Sequence, residues 1–261
     1  MSATLTIIGC RAGAPAGGAS ASGYLIESAE RRLLVDCGPG VVLTLATQEP
    51  FPAIDAVVIS HRHADHCADL VALAYRRRFP QALPPLPLFG PPDLLPLLAR
   101  LDELFGMESL PALVRPLQDT FAFHPVTPGA TFEAAGFLVE SCAAHHPVPT
   151  LSLRWPTLGF VYTADTALHS DLISFATGAD LLLAEATYAD EAGHDLQTHG
   201  HMTAAHAGIL AQQAGVKRLT LTHLADLRIR EVTRQVAELH YDGPITIAEA
   251  GQTCTLAETG S

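Results

Sequence analysis

Apolar and polar positions alternate from Ala3 to Ile8 with the two-residue period of a strand, and the run gives way to a Gly-, Ala- and Ser-rich loop from Gly9 to Gly23. Tyr24–Glu27 and Arg32–Asp36 read as the next two strands. The second ends in Asp36-Cys37-Gly38-Pro39-Gly40, a turn, after which Val41–Thr47 suits a short helix. Ile54–Ser60 is rich in β-branched residues and reads as a buried strand running straight into a polar cluster at His61. Leu70–Arg78 and Pro91–Phe105 read as helices, the second opened by a Pro pair, with a short strand at Leu86–Phe89 between them.

The second half repeats the rhythm. Strands are expected at Phe121–Pro125, Phe132–Glu133, Phe137–Ala143, Leu151–Trp155, Gly159–Thr163, Leu181–Ala184, Arg218–Thr222, Ile245–Ala248 and Cys254–Leu256. Helices are expected at Thr203–Ala214, with Thr203 as N-cap and Gly215 past the end, and at Arg228–Leu239. No linker interrupts the pattern. The expectation is an α/β fold in which residues 1–261 form one domain of two strand-rich halves, with helices outside.

Composition narrows the setting. The chain has 261 residues, enough to bury a large core, and only 16% are charged, so nothing reads as disordered. No uninterrupted apolar run reaches the roughly 18 residues of a membrane span. The stretch from Met1 to Gly9 lacks the basic start of a signal peptide, so a cytoplasmic location is the default. Five cysteines, odd in number and without a C-x-x-C pair, read as free thiols. The formal net charge of −12 repels nucleic acid. The one dense basic run, Arg76-Arg77-Arg78, is either a solvated helix face or a phosphate-facing patch.

The chemistry concentrates in His61-Arg62-His63-Ala64-Asp65-His66, four potential ligands in six residues at the end of a buried strand. One ion cannot easily use all four. His61 and His63 can aim at one cation, and Asp65 and His66 at a second. Imidazoles and a carboxylate suit zinc, with iron or manganese as alternatives. Cys67 is read as a small buried residue, with a soft ligand as the other possibility. Three more candidates sit at strand ends: His145-His146, of which His146 is preferred; Asp165, whose two oxygens can bridge two cations; and His223. Against these stand plainer readings: a polar loop pair, a turn-capping Asp and a satisfied core histidine.

With these residues the chain resembles the metallo-β-lactamase superfamily, and within it the ribonuclease Z-like branch, from Leu5 to about Gly251. The resemblance implies a four-layer αβ/βα sandwich. It also implies two metals at one edge, one on His61, His63 and His146, the other on Asp65, His66 and His223, with Asp165 bridging. Ala184-Glu185-Ala186-Thr187 and His201-Met202-Thr203 are similar to two further motifs of that branch, in which a Glu and a His pair near the substrate phosphate. A His held by a carboxylate at a helix start can donate to a phosphoryl or leaving oxygen. His199 is the rival for that role. Asp36 resembles the family's supporting Asp behind a ligand His. His124, His169, His194, His206 and His240 match no motif and are read as surface or supporting residues.

Two close cations make a hydroxide nucleophile available near neutral pH and clamp the attacked group, with Asp65 able to orient the nucleophile. The reaction class is hydrolysis. tRNA-processing members carry a long arm between the ligand His and the bridging Asp, whereas only 18 residues separate His146 from Asp165. Their basic loop is also replaced by Pro15-Ala16-Gly17-Gly18-Ala19-Ser20. Both departures argue against tRNA and for a small-molecule substrate. Ala64–Leu70 followed by Tyr75–Pro80 is similar to actinobacterial members associated with cyclic nucleotide hydrolysis. Ser20 and Ser22 read as part of a flexible turn, with pocket lining as the other possibility. An ester, lactone or thioester metabolite is the alternative substrate, a non-catalytic metal-binding protein the alternative class, and a homodimer an implication of family.

Overall fold

In the computed structural model, residues 3–29, 31–48, 50–191 and 196–256 are described. Among them, the first half supplies β1 (Ala3–Arg11), β2 (Ser20–Ala21), β3 (Gly23–Ser28), β4 (Arg31–Val35), β5 (Ala56–Val58), β6 (Leu86–Gly90) and β7 (Phe121–Pro125). The second half supplies β8 (Thr131–Ala134), β9 (Phe137–Ala143), β10 (Leu151–Trp155), β11 (Phe160–Tyr162), β12 (Leu181–Glu185), β13 (Leu219–Thr222) and β14 (Ile245–Ile247). The last strand, β15 (Thr253–Leu256), crosses back to lie antiparallel to β1. One sheet runs β15-β1-β3-β4-β5-β6-β7, with β2 beside β1; the other runs β14-β13-β12-β11-β10-β9-β8.

The helices are α1 (Val41–Leu45), α2 (Ala64–Cys67), α3 (Leu70–Arg78), α4 (Leu94–Phe105) and α5 (Pro116–Thr120) in the first half. In the second half they are α6 (Ser170–Ala176), α7 (Leu196–His199), α8 (Ala204–Ala214) and α9 (Arg230–Glu238). Strand alternation sorts the core into three layers of contact. Leu33 and Val35 of β4 and Leu181 and Leu183 of β12 point between the two sheets, where they meet Trp155, Phe160 and Tyr162. The intervening Leu34 packs outward with residues of α1, α3 and α4. Leu182 packs outward on the other side with α6, α8 and α9. Helices thus cover both outer faces, which gives the helix–sheet–sheet–helix sandwich. Because β5, β11 and β12 lie within parallel runs and are buried throughout, they read in sequence as nearly unbroken apolar stretches.

Helices α5 and α6 were not expected from the sequence. The first is capped from a distance: Asp102 of α4 accepts from the amides of Leu117 and Gln118 at 2.8 and 3.0 Å. The second starts at His169, whose ring nitrogen accepts from the Leu172 amide, a rarely used cap. Among the described residues no helix is long and apolar enough to cross a membrane.

Candidate metal centre

Six strands end around one point. Asp36 follows β4, His61 lies just past β5, His146 past β9 and Asp165 past β11; Glu185 ends β12, and His223 follows β13. His63 caps α2, which carries Asp65 and His66 in a single turn. Three strand-end residues here, Asp36, Ala164 and His223, hold left-handed backbone (φ 58°, 52° and 55°) that non-glycine residues rarely adopt. Each aims a side chain, its own or its neighbour's, at the centre. Gly38 is required for close approach, since a Cβ there would lie 1.9 Å from the carbonyl oxygen of Asp65.

Asp165 Oδ2 is the hub. It lies 3.6 Å from His61 Nε2, 3.3 Å from His66 Nε2 and 3.5 Å from His223 Nε2. Asp65 Oδ2 is 3.1 Å from His223 Nε2 and accepts the Gly13 amide at 2.7 Å. His146 Nε2 and His63 Nδ1 face each other at 3.0 Å. Potential ligand atoms gather in three groups, each within 4.8 Å: His61, His63, His146 and Asp165; Asp65, His66, Asp165 and His223; and Glu185, His201 and His223, the last sharing His223 with the second.

The partners behind the rings decide which nitrogens point inward. His66 Nδ1 donates to Asp36 Oδ2 at 2.8 Å. Ser60 donates its hydroxyl to Asp36, so it accepts from His61 Nδ1 at 3.1 Å. Thr187 donates to Glu185 Oε2 at 2.6 Å and accepts from His223 Nδ1 at 2.9 Å. His146 Nδ1 donates to the Gly200 carbonyl at 2.8 Å. Four Nε2 lone pairs are therefore left facing the centre, which is how protein scaffolds present imidazole to a metal.

Two buried atoms at this spot, His61 Nε2 and Asp165 Oδ1, have no hydrogen-bond partner. Buried polar atoms are rarely left so, and a cation would satisfy both. Burial and neighbouring imidazoles hold His61 well below the ordinary histidine value, and burial lowers His63 and His146 too. At His66 burial is outweighed by Asp165 and Asp36, which raise its pKa well above that value. Neutral rings and a site that calls for positive charge are what a divalent cation needs, so the donor set fits one or two such ions.

A second pair adjoins the hub. Burial works against the charge on His201, but Glu185 Oε1, 3.0 Å from its Nδ1, raises its pKa to about 9. Glu185 is fully buried and is itself fixed by the Thr166 amide at 2.7 Å and by Thr187. His199 lies farther out, its ring centroid 5.8 Å from that of His201.

The nine expected site positions, His61, His63, Asp65, His66, His146, Asp165, Glu185, His201 and His223, thus lie together, with Asp36 behind them. His145 turns away and stacks on His169 at 3.8 Å. Cys67 bonds the Arg62 carbonyl and joins none of the three groups. Ser20 and Ser22 are buried, Ser20 bonding Thr44 and Ser22 donating its amide to the Asp65 carbonyl, so they pack behind the turn that carries Asp65 rather than in a flexible loop. Arg76 lies over the Phe51 ring, Arg77 bonds the Pro84 carbonyl and Arg78 the Ala112 carbonyl, so this run ties α3 to its neighbours. His124 stacks on Phe89, His206 pairs with Glu191, and His240 is exposed. His194 lies outside the described residues. Ser60, Tyr162 and Thr187 carry roles that the sequence reading did not assign. Only Thr187 had a signal, its place in the Ala184–Thr187 motif.

Asp36 receives four hydrogen bonds, from His66, the Ser60 amide and hydroxyl, and the Tyr162 hydroxyl. Asn at this position keeps the volume and tolerates the left-handed backbone. Asp36→Asn is expected to weaken metal binding by about 10- to 100-fold, measured by competition with a chromogenic chelator.

Comparison with known proteins agrees with this geometry. A family model described as a beta-lactamase superfamily domain matches residues 31–224. The probable metallo-hydrolase YhfI of Bacillus subtilis is 32% identical over 95% of this chain and 97% of its own. The crystal structure of YhfI superposes with a TM-score of 0.83 at 30% identity, covering 97% of this chain and 99% of that one. A ribonuclease Z of Shouchella clausii is 27% identical over 85% of this chain and 86% of its own. The chain belongs to the beta-lactamase superfamily, in keeping with its ribonuclease Z-like branch.

Proposed function

We propose that this chain is a binuclear metal-dependent hydrolase, a phosphodiesterase acting on a small phosphodiester such as a cyclic nucleotide, with residues 1–261 as one domain. The observation that carries the reading is the Asp165 carboxylate set among three imidazole nitrogens, with the Glu185–His201 pair 4.0 Å from it. One cation would be held by His61, His63 and His146, the other by Asp65, His66 and His223, with Asp165 shared. The N/O donor set suits zinc. When bound, the ions supply Lewis acidity and a nucleophile available at neutral pH.

The remaining work falls to side chains. With Nδ1 held by Glu185, His201 has Nε2 left to donate, and the Glu185 carboxylate favours its protonated form. It gives a proton to the leaving oxygen or a hydrogen bond to the phosphoryl oxygen. Asp65, fixed by the Gly13 amide, orients the nucleophile. The 18-residue interval between His146 and Asp165, the missing basic loop and the charge of −12 support a small substrate over tRNA.

Hydrolysis of cyclic AMP, bis-p-nitrophenyl phosphate, a lactone and a precursor tRNA by the metal-loaded protein tests the reading. Turnover of the two small diesters is expected. Turnover of the lactone alone, or maturation of the tRNA, would overturn it.

A further inference from the structure

Beside the metal centre, the end of β1 and the segment after β13 enclose a cleft of about 380 Å³, lined among others by Arg11, Gly17, Asp226 and Arg228. It borders the site on two sides. Gly13, two residues past Arg11, donates its amide to Asp65. Ala225, two residues past His223, accepts from Arg11 Nη2 at 2.7 Å. Leu224 exchanges backbone hydrogen bonds with Cys10 and Ala12, which holds the two walls together.

The two arginines of the cleft differ. Arg228 is engaged by Asp226 through Nε at 3.0 Å and Nη2 at 2.8 Å. Arg11 has no carboxylate within ion-pair distance among the described residues, and its Nε is buried with no hydrogen-bond partner. A guanidinium offers five N–H donors in a planar fork, and among the described residues Arg11 makes a single side-chain bond, to the Ala225 carbonyl. Asp226, in the same cleft, lies within electrostatic range of Arg11 but spends both carboxylate oxygens on Arg228, so the half-buried Arg11 guanidinium keeps a buried Nε without a partner. In a chain of net charge −12 it stands out as a built anion receptor.

We infer that Arg11 is the specificity residue of this cleft and takes an anionic group, a phosphate or a carboxylate, on the arm of the substrate that stays with the phosphorus. The inference rests on the phosphodiesterase reading and narrows it: the substrate carries a second anion beyond the scissile phosphodiester. Among cyclic nucleotides this favours those with two phosphates over those with one.

Calorimetric titration of the metal-loaded protein with three monoesters tests it: ethyl phosphate, 2-carboxyethyl phosphate and ethane-1,2-diyl bisphosphate. The wild type is expected to bind one or both doubly charged ligands roughly ten- to hundredfold tighter than ethyl phosphate. The carboxylate and phosphate arms tell which anion it is. Arg11→Gln should bring that ratio close to one, and Arg11→Lys should keep part of it. A purely structural role, through the Ala225 contact, would weaken all three ligands alike and leave the ratio standing. A wild-type ratio near one, or a ratio that survives Arg11→Gln, overturns the inference. Turnover of p-nitrophenyl ethyl phosphate, measured alongside, judges the phosphodiesterase reading separately.

Discussion

Asp165→Ala is expected to leave the purified chain with at most one metal equivalent and to cut phosphodiester hydrolysis by about a thousandfold or more, the rate equivalent of several kcal/mol. The reason is geometric. Asp165 Oδ2 is a carboxylate oxygen within 3.6 Å of inward-facing ring nitrogens from both ligand groups, His61 in one and His66 and His223 in the other. Without it, the six remaining proposed ligands would offer two cations one carboxylate, that of Asp65. Burial disfavours ionisation of Asp165, yet His223, His66 and His61 hold its carboxyl well below the usual range. Its charge is thus built into the site before any ion arrives. Atomic emission analysis of metal content, run with a turnover assay on bis-p-nitrophenyl phosphate, measures both effects. Full metal content in the variant would remove Asp165 from the bridge.

His201→Gln should split by leaving group. If His201 protonates the departing oxygen, its loss costs about 10²–10⁴-fold on a cyclic nucleotide, whose alkoxide leaves badly. The same variant should lose less than about tenfold on a p-nitrophenyl ester, whose phenolate needs no proton to leave. Metal content should stay at the wild-type level, because Glu185 and His201 lie outside the six ligands proposed to flank Asp165. Equal losses on both substrates would instead assign His201 to holding the phosphoryl oxygen. Glu185 is fully buried and accepts from Thr166, Thr187 and His201, so it acts by fixing and charging His201.

The positions that gather at the candidate site were legible in the sequence for a physical reason. Parallel strands buried on both faces are apolar throughout, so a His or Asp directly after such a run, as at His61, Asp165 and His223, stands out against its context. The same contrast picked out the α8 boundary, where Thr203 accepts from the His206 amide and Gly215 turns left-handed. Tertiary support was not legible. Asp102 caps α5 from another helix, Ser60 serves two histidines and an aspartate at once, and Tyr162 reaches Asp36 from the opposite sheet. Each depends on packing between residues distant in the chain. The choice of His146 over His145 is of the same kind, since strand exit alone does not say which neighbour turns inward. Ser20 and Ser22 lie in a Gly-rich stretch that reads as a flexible turn, whereas Ser20–Ala21 forms β2 beside β1.

The central claim is that two cations sit in this cluster and that hydrolysis depends on them. It is tested most directly by stripping the purified protein with a chelator, titrating zinc back, and following bound metal and bis-p-nitrophenyl phosphate turnover together. Saturation at two ions per chain, with turnover abolished by stripping and restored on reloading, is the predicted result. Saturation below two ions, or turnover that survives complete stripping, would contradict it.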